Sequence, residues 1–264
     1  MKIAPLTVRP DRMEEACGVF AVLAPGEQVA SLCYFGLYAL QHRGQESAGI
    51  AVFDGDKVRL HKDMGLVSQV FDQNVLELMP GDRAVGHTRY STTGSSKVCN
   101  AQPLVFMTRL GPFALAHNGN LVNTSELRKQ LLADKLNING LDINRLGVTG
   151  LDINSSGDSE LIAFALQQAV NSGMAWDEAI KAAAAQCKGA FSLAISTPEA
   201  LYALRDGHGL RPLVFGHLGE SGSAAWVVSS ETCGLDIVGA NFDDDVAPGE
   251  LVRFKAGEDH PFRS

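Results

Sequence analysis

CGVFAVL, residues 17–23, is the stretch on which the reading of this chain turns. A short apolar run followed at once by the turn-prone APGE reads as a buried strand. A cysteine at its head is by habit an inert core residue. A different chemistry opens if Ala16 is cut from Cys17, because the freed α-amine and the thiol then belong to one residue. An α-amine titrates near ~8 and a thiol near ~8.5, so that one residue can supply a nucleophile and its base near neutral pH. While residue 16 stays attached, the amine is an amide and cannot act as a base.

Residues 28–40 place Val29, Leu32, Cys33, Gly36, Leu37 and Leu40 at three-and-four spacing, which predicts a helix with one buried face. Apolar runs at 49–53, 58–63, 83–90, 104–108 and 113–119 predict strands separated by Gly, Pro and Asp punctuation. Asn123, Thr124 and Ser125 are capping residues ahead of the helical ELRKQLLADKL, and further helices are expected over 159–169 and 176–187. Strands resume at 191–196, 200–205, 212–216, 225–230 and 250–254, with a helical turn around 233–238. Runs of strands flanking a block of helices predict an α+β sandwich rather than alternating βαβ units. Residues 135–157, which repeat GLDIN at Gly140 and Gly150, lack either period and read as an inserted surface loop, and residues 256–264 read as a polar tail.

The chain has 264 residues, 45% of them hydrophobic, which is enough for a sizeable core. A net charge of −8 with no basic stripe argues against nucleic acid or an anionic membrane as partner. Residues 1–16, MKIAPLTVRPDRMEEA, carry charges and two prolines where a secretory signal needs an apolar centre. No apolar run is long enough to span a bilayer. Five cysteines without CxxC spacing fit a reducing cytoplasm better than a disulfide framework. No pair of histidines has the close helical spacing of zinc hydrolases, so no metal is expected.

Four motifs gather polar residues beside glycine: QHRGQESAG (41–49), GHTRYSTTG (86–94), AHNGN (116–120) and SSGDSE (155–160). Glycine next to a polar group lets backbone amides approach a ligand, as an oxyanion site requires. Taken singly each has an ordinary structural explanation: a turn, a surface charge, or a helix cap at Asp158.

Together with the cysteine they form a pattern. From Cys17 to about Phe254 the chain resembles the class II, N-terminal-nucleophile glutamine amidotransferases, on CGVFAV, GLYALQHRGQESAGIAVFDG (36–55), GHTRYSTTG, AHNGNLVN, DSELI, RDGHGLRPLVFG (205–216) and VVSSETCGLDIVGA (227–240). QHRGQES and HTRYSTTG are similar to the purine branch, the glutaminase domains of amidophosphoribosyltransferases, more than to glucosamine-phosphate synthases.

The resemblance implies a four-layer αββα sandwich over residues 17–255, preceded by a propeptide at 1–16. It implies that Cys17 attacks the γ-amide of L-glutamine while its freed amine moves the proton. By the same resemblance Asn118 and Gly119 form the oxyanion hole, and Arg89 grips the substrate carboxylate with Tyr90 and Thr92 beside it. Asp158 pairs with the substrate ammonium, and Arg43 and Gly44 support the site. In the iron-sulfur members of the family, the residue that Cys233 matches is one ligand of a [4Fe-4S] cluster. That cluster and Mg belong with a phosphoribosyltransferase domain that this sequence does not resemble, so the chain itself is expected to hold no cofactor. The implied partners are L-glutamine, a phosphoribosyltransferase domain or subunit, and further copies of the chain in a homo-oligomer. Two alternatives stay open at this point: an acceptor such as a sugar phosphate, or an unprocessed, inactive regulatory module.

Overall fold

The structure, a computed structural model, describes residues 17–90, 98–137, 157–220 and 225–264. Its centre is β1 (Gly18–Leu23), flanked by β4 (Arg83–Arg89) on one side and β10 (Trp226–Ser229) on the other. β2 (Ser47–Asp54) and β3 (Lys57–Met64) extend the sheet beyond β4, while β9 (Val214–Leu218) and β11 (Ala240–Asp245) extend it beyond β10, in the order β11-β9-β10-β1-β4-β2-β3. A second sheet is built from β5 (Leu104–Thr108), β6 (Gly111–Leu121), β7 (Gly189–Ser196), β8 (Leu201–Arg205), β12 (Leu251–Phe254) and β13 (Phe262–Arg263), in the order β13-β12-β8-β7-β6-β5. The strand pairs are antiparallel throughout the described residues.

Three apolar layers result. Phe20 and Val22 of β1 pack outward with Val29, Cys33 and Leu37 of α1 (Val29–Ala39), Val67 of α2 (Val67–Val70) and Leu235 of α7 (Thr232–Ile237). Val19, Ala21 and Leu23 of the same strand point the other way, onto Ala116, Ala194, Ala203 and Val252 of the second sheet. This double burial is why β1 is apolar without alternation. Beyond the second sheet, Leu115, Leu193 and Tyr202 pack on Leu127 of α4 (Thr124–Asn137), Leu161 and Leu166 of α5 (Asp158–Asn171), and Trp176 and Ile180 of α6 (Trp176–Ala185). The architecture is the expected αββα sandwich.

The expected strands and helices appear within a few residues of their predicted ends. The additions are short or polar. α2 and α3 (Gln73–Glu77) do not complete the period that marks a helix, although Asp72 caps α3 by accepting from the Val75 amide at 2.9 Å. β11, ANFDDD, is an exposed edge strand with no apolar face. The expected tail folds back in part: β13 pairs with β12, and Arg263 reaches Asp244 of β11 and Glu250, so it clips the edges of the two sheets together. α4 runs to Asn137, into the stretch expected as a loop from residue 135; the remainder of that loop, 138–156, and the leader, 1–16, lie outside the described residues.

Gly36 shows how closely α1 sits on the sheet, because a Cβ there would lie 2.3 Å from the buried Phe20 ring. Gly36→Ala is therefore expected to lower unfolding stability by about 1–3 kcal/mol, against the gain of up to ~1 kcal/mol that alanine brings to a helix. A urea midpoint equal to or above the parent's would contradict this packing.

Candidate active site

At the end of the sandwich where β1 begins, the inter-sheet layer changes from apolar to polar. Side chains alternate along a strand, so Cys17 shares the face of Val19 and Ala21, His87 and Arg89 share that of Val85, and Asn118 shares that of Ala116. The register that sets Gly18 opposite Thr88 brings Cys17 beside the end of β4. Its Sγ lies 3.7 Å from the Tyr90 carbonyl. Burial pushes the thiol above its ordinary range, opposed by backbone hydrogen bonding at Tyr90 and by the positive charge of Arg89.

A cleft opens at this point. Cys17, Arg89, Tyr90, Gly119 and Asp158, five of the expected site residues, line it. Asn118 sits between two lining residues, His117 and Gly119, and is itself buried with both amide atoms unpartnered among the described residues. Arg43 and Gly44 are not on the wall. Arg43 instead donates from Nε to the Cys17 carbonyl at 3.1 Å, and Gly44 lies against the backbone of Thr88 and Arg89, where a Cβ would be 2.6 Å from the Arg89 carbonyl carbon. Thr92 lies outside the described residues. At Gly119 a Cβ would be 2.1 Å from the Ala190 carbonyl oxygen, so only glycine allows β6 and β7 to pair this closely beside the cleft.

The charges are anchored from outside the cleft. Arg89 pairs with the carboxylate of Glu46 at 3.5 Å, and the Glu46 amide donates to the Arg89 carbonyl at 3.0 Å. Asp158 opens α5 as its first helical residue, after Gly157 as the cap, where the helix dipole favours negative charge. Its Oδ2 accepts from the Leu121 amide at 2.8 Å, and its Oδ1 lies 3.6 Å from His117 Nδ1.

Along the cleft wall, where Gln102, His117 and Ser159 also line it, runs a buried network that the sequence reading did not assign. His117 Nδ1 meets Ser159 Oγ at 2.9 Å; Gln102 donates to the same oxygen at 3.0 Å and accepts from the His117 amide at 2.8 Å. His87 Nε2 donates to the His117 carbonyl at 3.1 Å, joining the two sheets. Burial drives His87 down to about 3, and the bond to that carbonyl offsets this only in part. Burial also lowers His117, against the pull of Asp158. Both rings are therefore neutral at neutral pH. Gln102 reaches the network because its segment lies flat on β2: a Cβ at Gly49 would be 2.2 Å from the Gln102 carbonyl oxygen, and Lys62 holds the carbonyls of Ala101 and Pro103. His117, Ser159 and Glu46 stand inside the motifs quoted above and could have been found there. Gln102 carries no such mark.

Cys233, at the start of α7, contacts the Ala39 carbonyl at 3.8 Å and Glu231 at 3.7 Å. Burial, and then the Glu231 charge, raise its thiol above the ordinary range. Among the described residues no three His, Cys, Asp or Glu side chains are placed to hold a metal ion, so those side chains by themselves do not fit an iron-sulfur cluster or a Mg site. Nor is any described helix long and apolar enough to cross a membrane.

The sequence pattern of the glutamine amidotransferase domain matches residues 87–236, from the first buried histidine of the network into α7. The chain belongs to the class II glutamine amidotransferase family. It is closely related to the glutaminase domain of amidophosphoribosyltransferases. The amidophosphoribosyltransferase of Synechococcus elongatus is 62% identical over 93% of this chain and 47% of its own length. That of Synechocystis is 56% identical over 92% of this chain and 46% of its own length. The solved glutamine phosphoribosylpyrophosphate amidotransferase of B. subtilis superposes with a TM-score of 0.77 at 36% identity, covering 94% of this chain and 49% of that one. The amidotransferase chain thus spans about half the length of these relatives.

The neutral His87 ties amidotransferase stability to pH. Between its ordinary value near 6.5 and about 3, the unfolded chain binds a proton at this site that the folded chain refuses. Stability therefore falls as pH falls through this window, by up to about 1.4 kcal/mol per pH unit from this residue. In urea titrations at pH 7 and pH 5, His87→Gln is expected to lose less stability than the parent does. Parallel losses would contradict the neutral, buried state.

Proposed function

We propose that this chain hydrolyses L-glutamine to glutamate and ammonia, with Cys17 as an amino-terminal nucleophile once residues 1–16 are removed. The observation that carries the reading is one cleft presenting a thiol, a buried guanidinium and a helix-terminal carboxylate: Cys17, Arg89 and Asp158. A free amino acid bears opposite charges on one carbon. Arg89 takes the α-carboxylate through its planar fork, with Tyr90 beside it, and Asp158 takes the α-ammonium. Glutamine within a peptide has neither charge and is refused.

With the α-carbon held so, the side-chain amide extends toward Cys17. The α-amine of Cys17 accepts the thiol proton as Sγ bonds to the γ-carbon. The negative oxygen that forms is met by the Asn118 amide and the Gly119 N–H. The Asn118 side chain, buried with neither polar atom paired, is a donor waiting for an acceptor. Collapse of the intermediate returns the proton to the departing ammonia and leaves a thioester, and water then cleaves the thioester to glutamate and restores the thiol. Arg43 and Gly44 support this arrangement without touching substrate.

Because the related proteins are amidophosphoribosyltransferases about twice as long, the ammonia is proposed to pass to a phosphoribosyl group bound by the half of such a protein that this chain does not match. That is the first committed step of purine synthesis, set in the cytoplasm and in a homo-oligomer. The [4Fe-4S] cluster and Mg belong with that other half.

The test is glutamate release by protein shown to begin at Cys17. Cys17→Ala is expected to abolish it. Asn118→Ala is expected to lower kcat by about 10²–10³ with the fold intact, as loss of one oxyanion donor does. Asn118→Ala turning over at the parent rate, or release that survives Cys17→Ala, would overturn the reading.

A further inference from the structure

The segment before α7 holds the head of β1 at three consecutive positions. Ser229 lies opposite Phe20 where β10 pairs with β1. Ser230 accepts from the Val19 amide through Oγ at 3.0 Å and donates its own amide to the Val19 carbonyl at 2.9 Å. Glu231, the cap residue of α7, forms an ion pair with Arg43 and lies 2.9 Å from His42 Nε2. Arg43, its side chain only 11% exposed, is the residue that donates from Nε to the Cys17 carbonyl at 3.1 Å. A line of contacts thus runs from the Glu231 carboxylate through one guanidinium to the backbone of the nucleophile. The chemistry above gives Glu231 no part.

We infer that Glu231 is a positioning residue for the nucleophile, acting through Arg43 on the Cys17 carbonyl. The inference rests on the reading of Cys17 as nucleophile and adds to it. A guanidinium is a flat, rigid fork, so placing Nη1 on a carboxylate sets the direction of Nε. The carbonyl that Nε grips lies in the plane of the peptide joining Cys17 to Gly18. Fixing that plane sets the position of Cα and the direction of the Cα–C bond of Cys17, the axis about which the α-nitrogen and Sγ turn, and so limits where they stand relative to the cleft. The constraint matters most after cleavage, when no chain precedes Cys17 and its orientation is held from the carbonyl side. A nucleophile misplaced by about 1 Å can lose about 10² in rate. Partial burial of Glu231 works against its ionisation, yet its bonds to Arg43 and His42 outweigh this and hold the carboxyl below its usual range. The carboxylate is therefore charged when the contact is needed.

The test is a double-mutant cycle on processed protein, reading kcat and KM for glutamine hydrolysis in Glu231→Ala, Arg43→Ala and the pair. Glu231→Ala is expected to lower kcat about tenfold or more with KM within about threefold, and to cost less than about twofold once Arg43 is already alanine. Glu231→Gln, which keeps one acceptor for Arg43, is expected to recover part of the loss. Full kcat in Glu231→Ala, or losses that multiply in the pair, would overturn the inference, since a merely structural role predicts independent effects. Should Glu231→Ala fail to fold, Glu231→Asp carries the same test, because the shorter carboxylate keeps the charge and withdraws the reach. A second readout is the rate at which Cys17 is alkylated by a glutamine-like chloroketone relative to iodoacetamide, and this ratio is expected to fall in Glu231→Ala. It separates the two claims: a parent chain that does not hydrolyse glutamine fails the proposed function, while an unchanged ratio fails the role of Glu231.

Discussion

The double burial of β1 is the constraint from which the rest of the structure follows. Phe20 and Val22 commit one face of the strand to α1, and Val19, Ala21 and Leu23 commit the other to the second sheet. A strand held on both faces cannot slip by one residue without exchanging its two apolar sets. The position of its first residue is therefore set by the core rather than by a loop. Cys17 inherits that precision, standing at the edge of the inter-sheet layer where β4 and β6 bring Arg89 and Asn118 to the same end. Gly36 and Gly86 belong to the same constraint, since a side chain at either would strike Phe20, Cys33 or Leu37 and lift the helix from the sheet.

The polar part of the site has a cost that the apolar part offsets. His87, His117, Asn118 and Ser159 are buried, and the Asn118 side-chain amide has no partner among the described residues. A buried group left unpaired costs about 1–3 kcal/mol. The bonds among Gln102, Ser159 and the His117 backbone still leave His87 Nδ1, His117 Nε2 and both Asn118 amide atoms without a partner among the described residues. With both imidazoles neutral, the charges that line the cleft are those of Arg89 and Asp158, the two groups proposed to take the two ends of a free amino acid. On the proposed mechanism, selectivity and catalysis draw on different features, fixed charges for one and an unfilled donor for the other.

Much of this could be read before the fold was seen, and the reason is locality. The apolar run of β1 and the period of α1 are signals within a few neighbouring residues. So are the glycine-flanked motifs that hold Arg89, Asn118, Gly119 and Asp158, and the resemblance to a known family tied them together. What could not be read is contact between distant residues. Gln102 meets the His117 amide fifteen positions away, through a segment whose placement depends on a missing Cβ at Gly49. Glu231 meets Arg43 at a separation of 188 residues, and no spacing rule links them. α2 and α3 were invisible for the opposite reason, being too short to show a period, and β11 because an exposed acidic edge strand has no apolar face to display.

The central claim is that Cys17 becomes the first residue of the chain and is acylated by glutamine. The most direct measurement is the intact mass of the purified protein after exposure to a glutamine-like, thiol-alkylating chloroketone, with the adduct located by peptide mapping. The account predicts a mass lacking the first sixteen residues and carrying one adduct, on Cys17. A full-length, unlabelled protein would contradict it.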